Sequence, residues 1–166
     1  MDSRSTELTD LVEWRQWKPQ VVQSAPRKSG IYLFRMAQPF PRLKGMSDIV
    51  YIGCTTSQRT ISDRLKDHLS VREIERNTAY YLERVQCEVN AIEVSWKTFE
   101  KPTGAKDAER NLLEKYVADH IELPPLNRQA SGQQVRIVSE LITRILPNKD
   151  FYLSYELVEK LKKAPG

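Results

Sequence analysis

Cysteine and long apolar runs are both scarce in this chain of 166 residues. Its two cysteines, Cys54 and Cys87, are too few for a disulfide scaffold and lack the close pairing that a structural zinc site requires. Apolar runs such as residues 49–52 are far shorter than the roughly 20 residues that cross a bilayer. The first residues carry mixed charges and lack the apolar core of a secretion signal. We therefore expect a reduced, soluble, cytoplasmic protein without membrane contact, associated with the nucleoid if it is bacterial.

Internal repeats and low-complexity tracts are also absent, and the length and composition fit one compact domain with at most a small appendage. The net charge of +4 is unevenly distributed along the chain. Residues 30–127 carry equal numbers of basic and acidic side chains, whereas residues 128–166 carry seven basic and four acidic ones. This surplus at the C-terminal end is a weak indication of a polyanionic partner.

Three segments have the composition or the alternation of strands. Residues 31–34 and 49–54 are rich in β-branched and aromatic side chains, and they can pair as a hairpin with a long, proline-containing loop. Residues 90–99 alternate between apolar and polar side chains. This alternation predicts a third strand with one side exposed to solvent.

Helical spacing of apolar residues dominates the rest of the chain. The predicted helices cover residues 60–69, 78–87, 105–121, 135–146 and 154–163. Ser57 or Thr60 is available as the N-cap of the first helix, and Pro124 cannot continue the third. Together, the predicted elements indicate an α+β fold in which helices pack on a small sheet.

One carboxylate lies within the apolar stripe of the helix predicted over residues 105–121. Glu109 precedes Leu112 and Leu113 by three and four residues and Tyr116 by seven, which places all four on one helix face. Burying an unpaired carboxylate is costly, so such a residue needs a cation, a hydrogen-bond network or a wet cleft. On these residues alone, Glu109 either has such a role or lies near the start of the helix and stays in water.

Two further pairs of residues carry groups suited to chemistry. Arg64 and His68 are four residues apart and are therefore neighbours on one helix face. Tyr32 and Tyr51 each alternate with apolar neighbours in the two hairpin strands, so both phenols can project from the same face of the sheet. Taken separately, the first pair is also typical of a solvated helix edge, and the tyrosines are also typical of ordinary packing.

In chain order, these residues resemble the motifs of the GIY-YIG nuclease family. The matching elements are Gly30-Ile31-Tyr32, Tyr51-Ile52-Gly53, Arg64 with His68, Glu109 with Leu112-Leu113 and Tyr116, and Pro125-Leu126-Asn127. The similarity covers about residues 28–129, between an N-terminal extension, 1–27, and a helical C-terminal extension, 130–166. It implies a small three-stranded sheet flanked by helices. It also implies a divalent-metal-dependent DNA endonuclease that leaves 5′-phosphate and 3′-hydroxyl ends.

The resemblance implies catalytic roles for four of the matched side chains. Tyr32 and Tyr51 match the two active-site tyrosines, Arg64 matches the catalytic arginine, and His68 matches a position that is histidine in some branches. We expect Tyr32 to be the general base that activates water. If it is not, Tyr51 or His68 is the base instead. Either phenol needs its pKa lowered from about 10 for that role.

The resemblance assigns the metal to a single carboxylate. Glu109 matches the glutamate that binds Mg²⁺ or Mn²⁺, with Glu114 as the fallback, and Asn127 matches the asparagine that closes the motif. The spacings from Tyr32 to Tyr51 and from Glu109 to Asn127 are longer than is usual for the family. Because we expect both extra lengths to lie in loops, they leave the catalytic assignment intact and leave the subfamily and the role of Asn127 open.

Double-stranded DNA is the expected partner, and we expect its recognition to lie outside the catalytic core. The basic side chains expected on phosphates are Arg42, Lys44, Arg128, Arg136 and Arg144. The helix over residues 135–146 could instead cap the core or form the seam of a homodimer. The expected enzyme is a small stand-alone nuclease of restriction, mobile-element or repair type. The competing interpretation is a catalytically inactive domain of the same fold that binds nucleic acid or another protein.

Overall fold

The computed structural model describes residues 13–55, 57–84, 86–88 and 90–129. The chain divides into two compact units after Gln129, and every described residue belongs to the first unit. The helices predicted over residues 135–146 and 154–163 lie outside the described residues. No helix in the described ranges is long and apolar enough to span a membrane.

The described residues form an α+β fold, as the sequence predicts. Four antiparallel strands make one sheet in the order β1–β4–β2–β3. The strands are β1 (Arg15–Gln16), β2 (Gly30–Pro41), β3 (Met46–Cys54) and β4 (Ile92–Thr98). The helices are α1 (Pro19–Gln23), α2 (Ile61–Val71), α3 (Glu73–Arg84), α4 (Pro102–His120) and the 3₁₀ helix Pro125–Gln129.

The prediction of three strands is wrong, because a fourth strand pairs with the outer side of β4. This strand, β1, has only two residues, with Arg15 opposite Val94 and Gln16 opposite Glu93. Two residues cannot show an alternating pattern, so β1 has no sequence signal of its own. Its presence makes β4 an inner strand. Ser95, on the side of β4 that was predicted to be exposed, is fully buried, because it lies opposite Leu33 on the face of the sheet that α4 covers.

The hairpin strands are much longer than predicted. Pro39 and Pro41, expected in a loop, lie within β2, and the connection to β3 is only residues 42–45. Gly45 closes this turn with a φ of +70°, which glycine adopts readily. Prolines are tolerated here because β2 pairs with β4 only as far as Met36, so no ladder hydrogen bond to β4 is lost.

The helix α2 begins and ends at clear signals. Thr60 caps its start, since its hydroxyl accepts from the Asp63 N–H while the Asp63 carboxylate accepts from the Thr60 N–H. Its last residue is Val71, because Arg72 takes up a left-handed conformation with a φ of 49°. The next helix, α3, then starts at Glu73, five residues earlier than predicted.

The two faces of the sheet carry separate apolar cores. On one face, α1, α2 and α3 cover Tyr32 and Phe34, with Leu65 and Ile74 among the side chains that contact them. On the other face, α4 covers Ile31, Leu33 and Ile52 through its own apolar stripe, which includes Ala105, Leu113 and Tyr116. The alternation of β2 thus separates two sets of side chains onto two different helical layers.

Candidate active site

The two tyrosines of the predicted site lie on the same face of the sheet. In the β2–β3 pairing, Tyr32 is opposite Gly53 and Phe34 is opposite Tyr51, which confirms the predicted geometry. The ring centroids of Tyr32 and Tyr51 are 6.0 Å apart. A Cβ atom at Gly53 would lie only 2.6 Å from the Tyr51 ring and 2.8 Å from the Tyr32 ring. Gly53 therefore leaves the space that the two phenol rings occupy.

Helix α2 brings a guanidinium and an imidazole onto these phenols. The Tyr32 hydroxyl lies 3.2 Å from Nε2 of His68, and Nε of Arg64 donates to the same hydroxyl at 3.4 Å. The His68 ring also contacts the Tyr51 ring, with centroids 5.5 Å apart. Tyr32, Tyr51, Arg64 and His68 thus form one group, which we call the phenol cluster.

The imidazole of His68 has a second partner that sequence reasoning missed. Nδ1 of His68 lies 3.1 Å from Oε2 of Glu73, the first residue of α3. Because a carboxylate can only accept, Nδ1 carries the hydrogen of the neutral ring. The lone pair then lies on Nε2, where it can accept a hydrogen bond from the Tyr32 hydroxyl. Nothing in the spacing indicates this contact, because it depends on the break between α2 and α3 at Arg72.

Glu109 extends from α4 toward the same site across the edge strand β3. Its Oε2 accepts a hydrogen bond from Sγ of Cys54 at 3.0 Å. Burial raises the pKa of Glu109, while Cys54 and, from a greater distance, Lys106 and Arg64 oppose that shift. Burial and the neighbouring carboxylate raise the pKa of Cys54 to about 12, so its thiol stays protonated as a donor. Cys54 is a second contact that sequence reasoning missed, although it directly follows the Tyr51-Ile52-Gly53 element.

The phenols and the imidazole are all neutral near pH 7. Burial raises the pKa of Tyr32 well above its usual value, with Tyr51 adding to the shift and Arg64 opposing it. Burial also raises the pKa of Tyr51, although Tyr32 and Arg64 oppose this shift. Burial lowers the pKa of His68. The protein alone therefore does not lower the pKa of either tyrosine, although a general base was expected to need that lowering. Tyr32 is 0 % exposed, whereas Tyr51 is partly exposed and reaches solvent.

The carboxylate of Glu109 has the properties of a ligand for a hard divalent cation. It is partly buried, and within the described part of the chain no lysine or arginine nitrogen lies within 4.0 Å of it. Oxygen ligands with several retained waters are what Mg²⁺ prefers. Among the described residues, no three His, Cys, Asp or Glu side chains group as a metal site. The protein would thus supply one carboxylate, and water or substrate would supply the remaining ligands.

Asn127 hydrogen-bonds to the backbone of Ile52, the residue that follows Tyr51 in β3. Its Oδ1 accepts from the Ile52 N–H at 2.9 Å, and its Nδ2 donates to the Ile52 carbonyl at 2.7 Å. Because β3 is an edge strand, the Asn127 amide replaces the missing strand neighbour at this residue. The observed contacts give Asn127 a role in fixing the strand that carries Tyr51.

The structure describes the side chains of two of the five predicted DNA-binding residues, Arg42 and Lys44. Arg42, expected on the surface, has a fully buried side chain that pairs with Glu122 at 2.9 Å and donates to the Leu123 carbonyl at 2.6 Å and to the Tyr81 hydroxyl. It is therefore not placed to bind the DNA backbone. Lys44 is exposed in the hairpin turn. The side chain of Arg128, and all of Arg136 and Arg144, lie outside the described residues.

Five of the six predicted catalytic residues lie near one another, namely the four of the phenol cluster and Glu109. They come from four different elements, strands β2 and β3 and helices α2 and α4. Comparisons with protein-family models, with curated proteins and with solved structures return no match. The functional interpretation therefore depends on the geometry of the site itself and on the chemistry of its side chains.

Proposed function

We propose that this protein is a DNA endonuclease of the GIY-YIG type that requires Mg²⁺ or Mn²⁺ and leaves 5′-phosphate and 3′-hydroxyl ends. The observation that carries the proposal is the hydrogen-bonded series from Arg64 through Tyr32 to His68, beside the partly buried carboxylate of Glu109. Hydrolysis of a phosphodiester needs a base, a cation for the phosphoryl oxygens and support for the departing alkoxide. The site contains a candidate for each of these roles.

Two side chains supply the electrostatic part of the reaction. Arg64 is partly exposed, so its guanidinium can bind the scissile phosphate through paired hydrogen bonds as negative charge develops there. Glu109 would hold the divalent cation. When bound, that ion would neutralise charge on the phosphate and on the leaving 3′ oxygen.

The two phenols divide the work of the base. Tyr51 reaches solvent, so we assign it the contact with the attacking water, while the fully buried Tyr32 links it to His68. A proton leaves the water for Tyr51, a proton moves between the phenols, and Nε2 of His68 takes up the Tyr32 proton. The water oxygen bonds to phosphorus as the bond from phosphorus to the 3′ oxygen breaks, and solvent protonates that oxygen.

One observation favours the competing function, a catalytically inactive domain of the same fold that binds DNA or a protein. Tyr32 is fully buried and its pKa is raised, which are also the properties of a packing residue. A packing role alone, however, does not account for a hydroxyl that receives a hydrogen bond from Arg64 and contacts His68. A degenerate domain has no chemical need for the carboxylate of Glu109 as well.

Nicking of a supercoiled plasmid tests the proposal. The purified chain is incubated with Mg²⁺, with Mn²⁺ and with a chelator, and the ends are sequenced. We expect metal-dependent cleavage with 5′-phosphate ends, absent in Glu109→Gln and retained in Glu114→Gln. If a panel of linear, branched and supercoiled DNA is bound but never cut, the inactive binding domain is the correct function. If DNA is neither cut nor bound, both DNA functions are excluded.

A further inference from the structure

We infer that Glu73 is a positioning residue for the proposed reaction, because its carboxylate holds the His68 ring in the orientation and tautomer that accept the Tyr32 proton. This inference rests on the proposed function. It adds a residue that the family resemblance does not match and that lies outside its motifs. Glu73 meets neither water nor phosphate in this role and acts only through His68.

The partners of His68 are consistent with the following direction of hydrogen bonding. Nε–H of Arg64 donates to the Tyr32 oxygen, the Tyr32 hydroxyl donates to Nε2 of His68, and Nδ1–H of His68 donates to Oε2 of Glu73. The opposite tautomer would put a hydrogen on Nε2, and an unprotonated Nδ1 would then face a carboxylate that cannot donate. Glu73 thus selects the tautomer that can take a proton from Tyr32.

The backbone places Glu73 where this contact is made. Arg72 adopts a left-handed conformation and its N–H caps the end of α2 by bonding to the carbonyls of His68 and Leu69. A left-handed non-glycine residue costs about 1 kcal/mol, so surrounding contacts have to maintain it. Glu73 follows as the first residue of α3, with its carboxylate next to the His68 ring.

His68 and Glu73 differ in how deeply they are buried, and this difference suits their different roles. The side chain of His68 is 8 % exposed, whereas that of Glu73 is 42 % exposed. A proton accepted by His68 would create a charge in a buried position, and the ionised carboxylate beside it lowers the cost of that charge. The carboxylate itself remains hydrated, which avoids the penalty of burying a second ion.

The groups that surround His68 determine how its titration responds to loss of Glu73. They are Tyr32 on β2, Tyr51 on β3, Arg64 and Asp67 on α2, and Glu73 on α3. Burial and Arg64 lower the pKa of His68, whereas Glu73 and Asp67 raise it. The variant Glu73→Gln removes one raising contribution, so the pKa of His68 falls further.

NMR titration of the histidines tests the contact without any assay of activity. The chain has only two, His68 and His120, so the second is an internal control. In the wild-type protein we expect His68 as the Nδ1–H tautomer. We expect Glu73→Gln to lower the pKa of His68 and leave that of His120 unchanged, while Glu83→Gln, an exposed acid at the other end of α3, changes neither. A wild-type Nε2–H tautomer, or an unchanged pKa in Glu73→Gln, would overturn the inference.

The pH profile of cleavage tests the catalytic consequence. If neutral His68 accepts the proton, the rate rises with pH through the His68 pKa, and Glu73→Gln shifts this acidic limb to lower pH. We also expect kcat to fall about 10- to 100-fold with KM unchanged, as a part of the 10²- to 10⁴-fold that acid–base catalysis contributes. A variant that cleaves with the wild-type profile overturns the inference and leaves the proposed function standing. Absence of cleavage by the wild-type protein removes the proposed function and the catalytic role of Glu73 together, while the NMR result still decides the contact.

Discussion

The two faces of the sheet use the same strands for different purposes. On the α4 face, Ile31, Leu33 and Ile52 pack against an apolar helix stripe. On the α2 face, Tyr32 and Tyr51, which alternate with those residues, contact a guanidinium and an imidazole. Because alternate side chains of a strand point in opposite directions, one face packs apolar side chains while the other brings polar groups together.

The α4 face supplies one polar group to this arrangement, the carboxylate of Glu109. Because β3 is an edge strand, no further strand separates α4 from the α2 face on that side. The charged groups of the two faces influence each other. The Glu109 carboxylate raises the pKa of Tyr51, and the Arg64 guanidinium acts to lower the pKa of Glu109. If the comparison of the faces is correct, substitutions on the two faces have opposite consequences for activity and stability.

The largest effect on activity is expected from Glu109→Gln. Loss of the proposed metal ligand should remove detectable cleavage with Mg²⁺ or Mn²⁺ while DNA binding changes little. Plasmid nicking and a gel-shift titration measure the two properties, with Glu114→Gln as the matched control on the same helix. Robust cleavage by Glu109→Gln would exclude this carboxylate from the site.

Arg64→Ala is expected to lower the rate by about 10²- to 10³-fold, because in the proposed mechanism the guanidinium would stabilise charge that develops on the phosphate. DNA affinity should fall much less. Single-turnover cleavage and gel-shift titration separate the two effects. Arg59→Ala, which removes an exposed arginine paired with Asp67, is the control and should cleave at nearly the wild-type rate.

Phenylalanine at each tyrosine distinguishes the two phenols. We expect Tyr51→Phe to lower the single-turnover rate by about 10²-fold or more, as is typical when an acid–base group is lost, and Tyr32→Phe to lower it less. The folded stability of Tyr32→Phe should fall, since the variant leaves the His68 ring without its hydroxyl partner. Equal rates for Tyr51→Phe and the parent would return the base role to Tyr32 or His68.

On the opposite face, Leu113→Ala is expected to change stability and not chemistry. Leu113 is buried in the core between α4 and the sheet, and truncation of such a leucine costs about 2–5 kcal/mol. Urea denaturation measures the loss, and cleavage at a temperature where the variant stays folded measures kcat. A large loss of kcat in the fully folded variant would mean that the two faces are not independent.

The smallest expected effect concerns the stability of Glu109→Gln. Burial raises the pKa of Glu109 in the folded protein above its value in the unfolded chain. As pH rises between these two values, the unfolded state loses its proton first, so the wild-type protein loses stability. Without metal, Glu109→Gln should therefore melt at a higher temperature than the wild type near pH 7 and at the same temperature near about pH 3. A lower melting temperature near pH 7 would contradict the desolvation of this group.

A thermal-melt series with Mn²⁺ extends this experiment. The ion should stabilise the wild-type protein as a ligand of the folded state does, and it should have little effect on Glu109→Gln. Equal stabilisation of both proteins would place the binding of the ion elsewhere.

Local sequence pattern determined the helical and strand character of the segments that build the site. The i, i+4 spacing put Arg64 and His68 on one face, the helix wheel put Glu109 among apolar residues, and alternation put Tyr32 and Tyr51 on a common side. These features depend only on the period of the backbone, which is the same in every protein. Periodicity therefore placed these residues on particular faces, whereas the resemblance to the GIY-YIG motifs indicated that they form a site.

Tertiary structure alone decided which side chains these residues contact and which charged groups are buried. The contact of Glu73 with His68 depends on the break between two helices at Arg72, and the burial of Arg42 depends on Glu122, far along the chain. The two-residue strand β1 also lacks a local signal. Such features are decided by packing between distant segments, and no periodicity within one segment encodes the position of another.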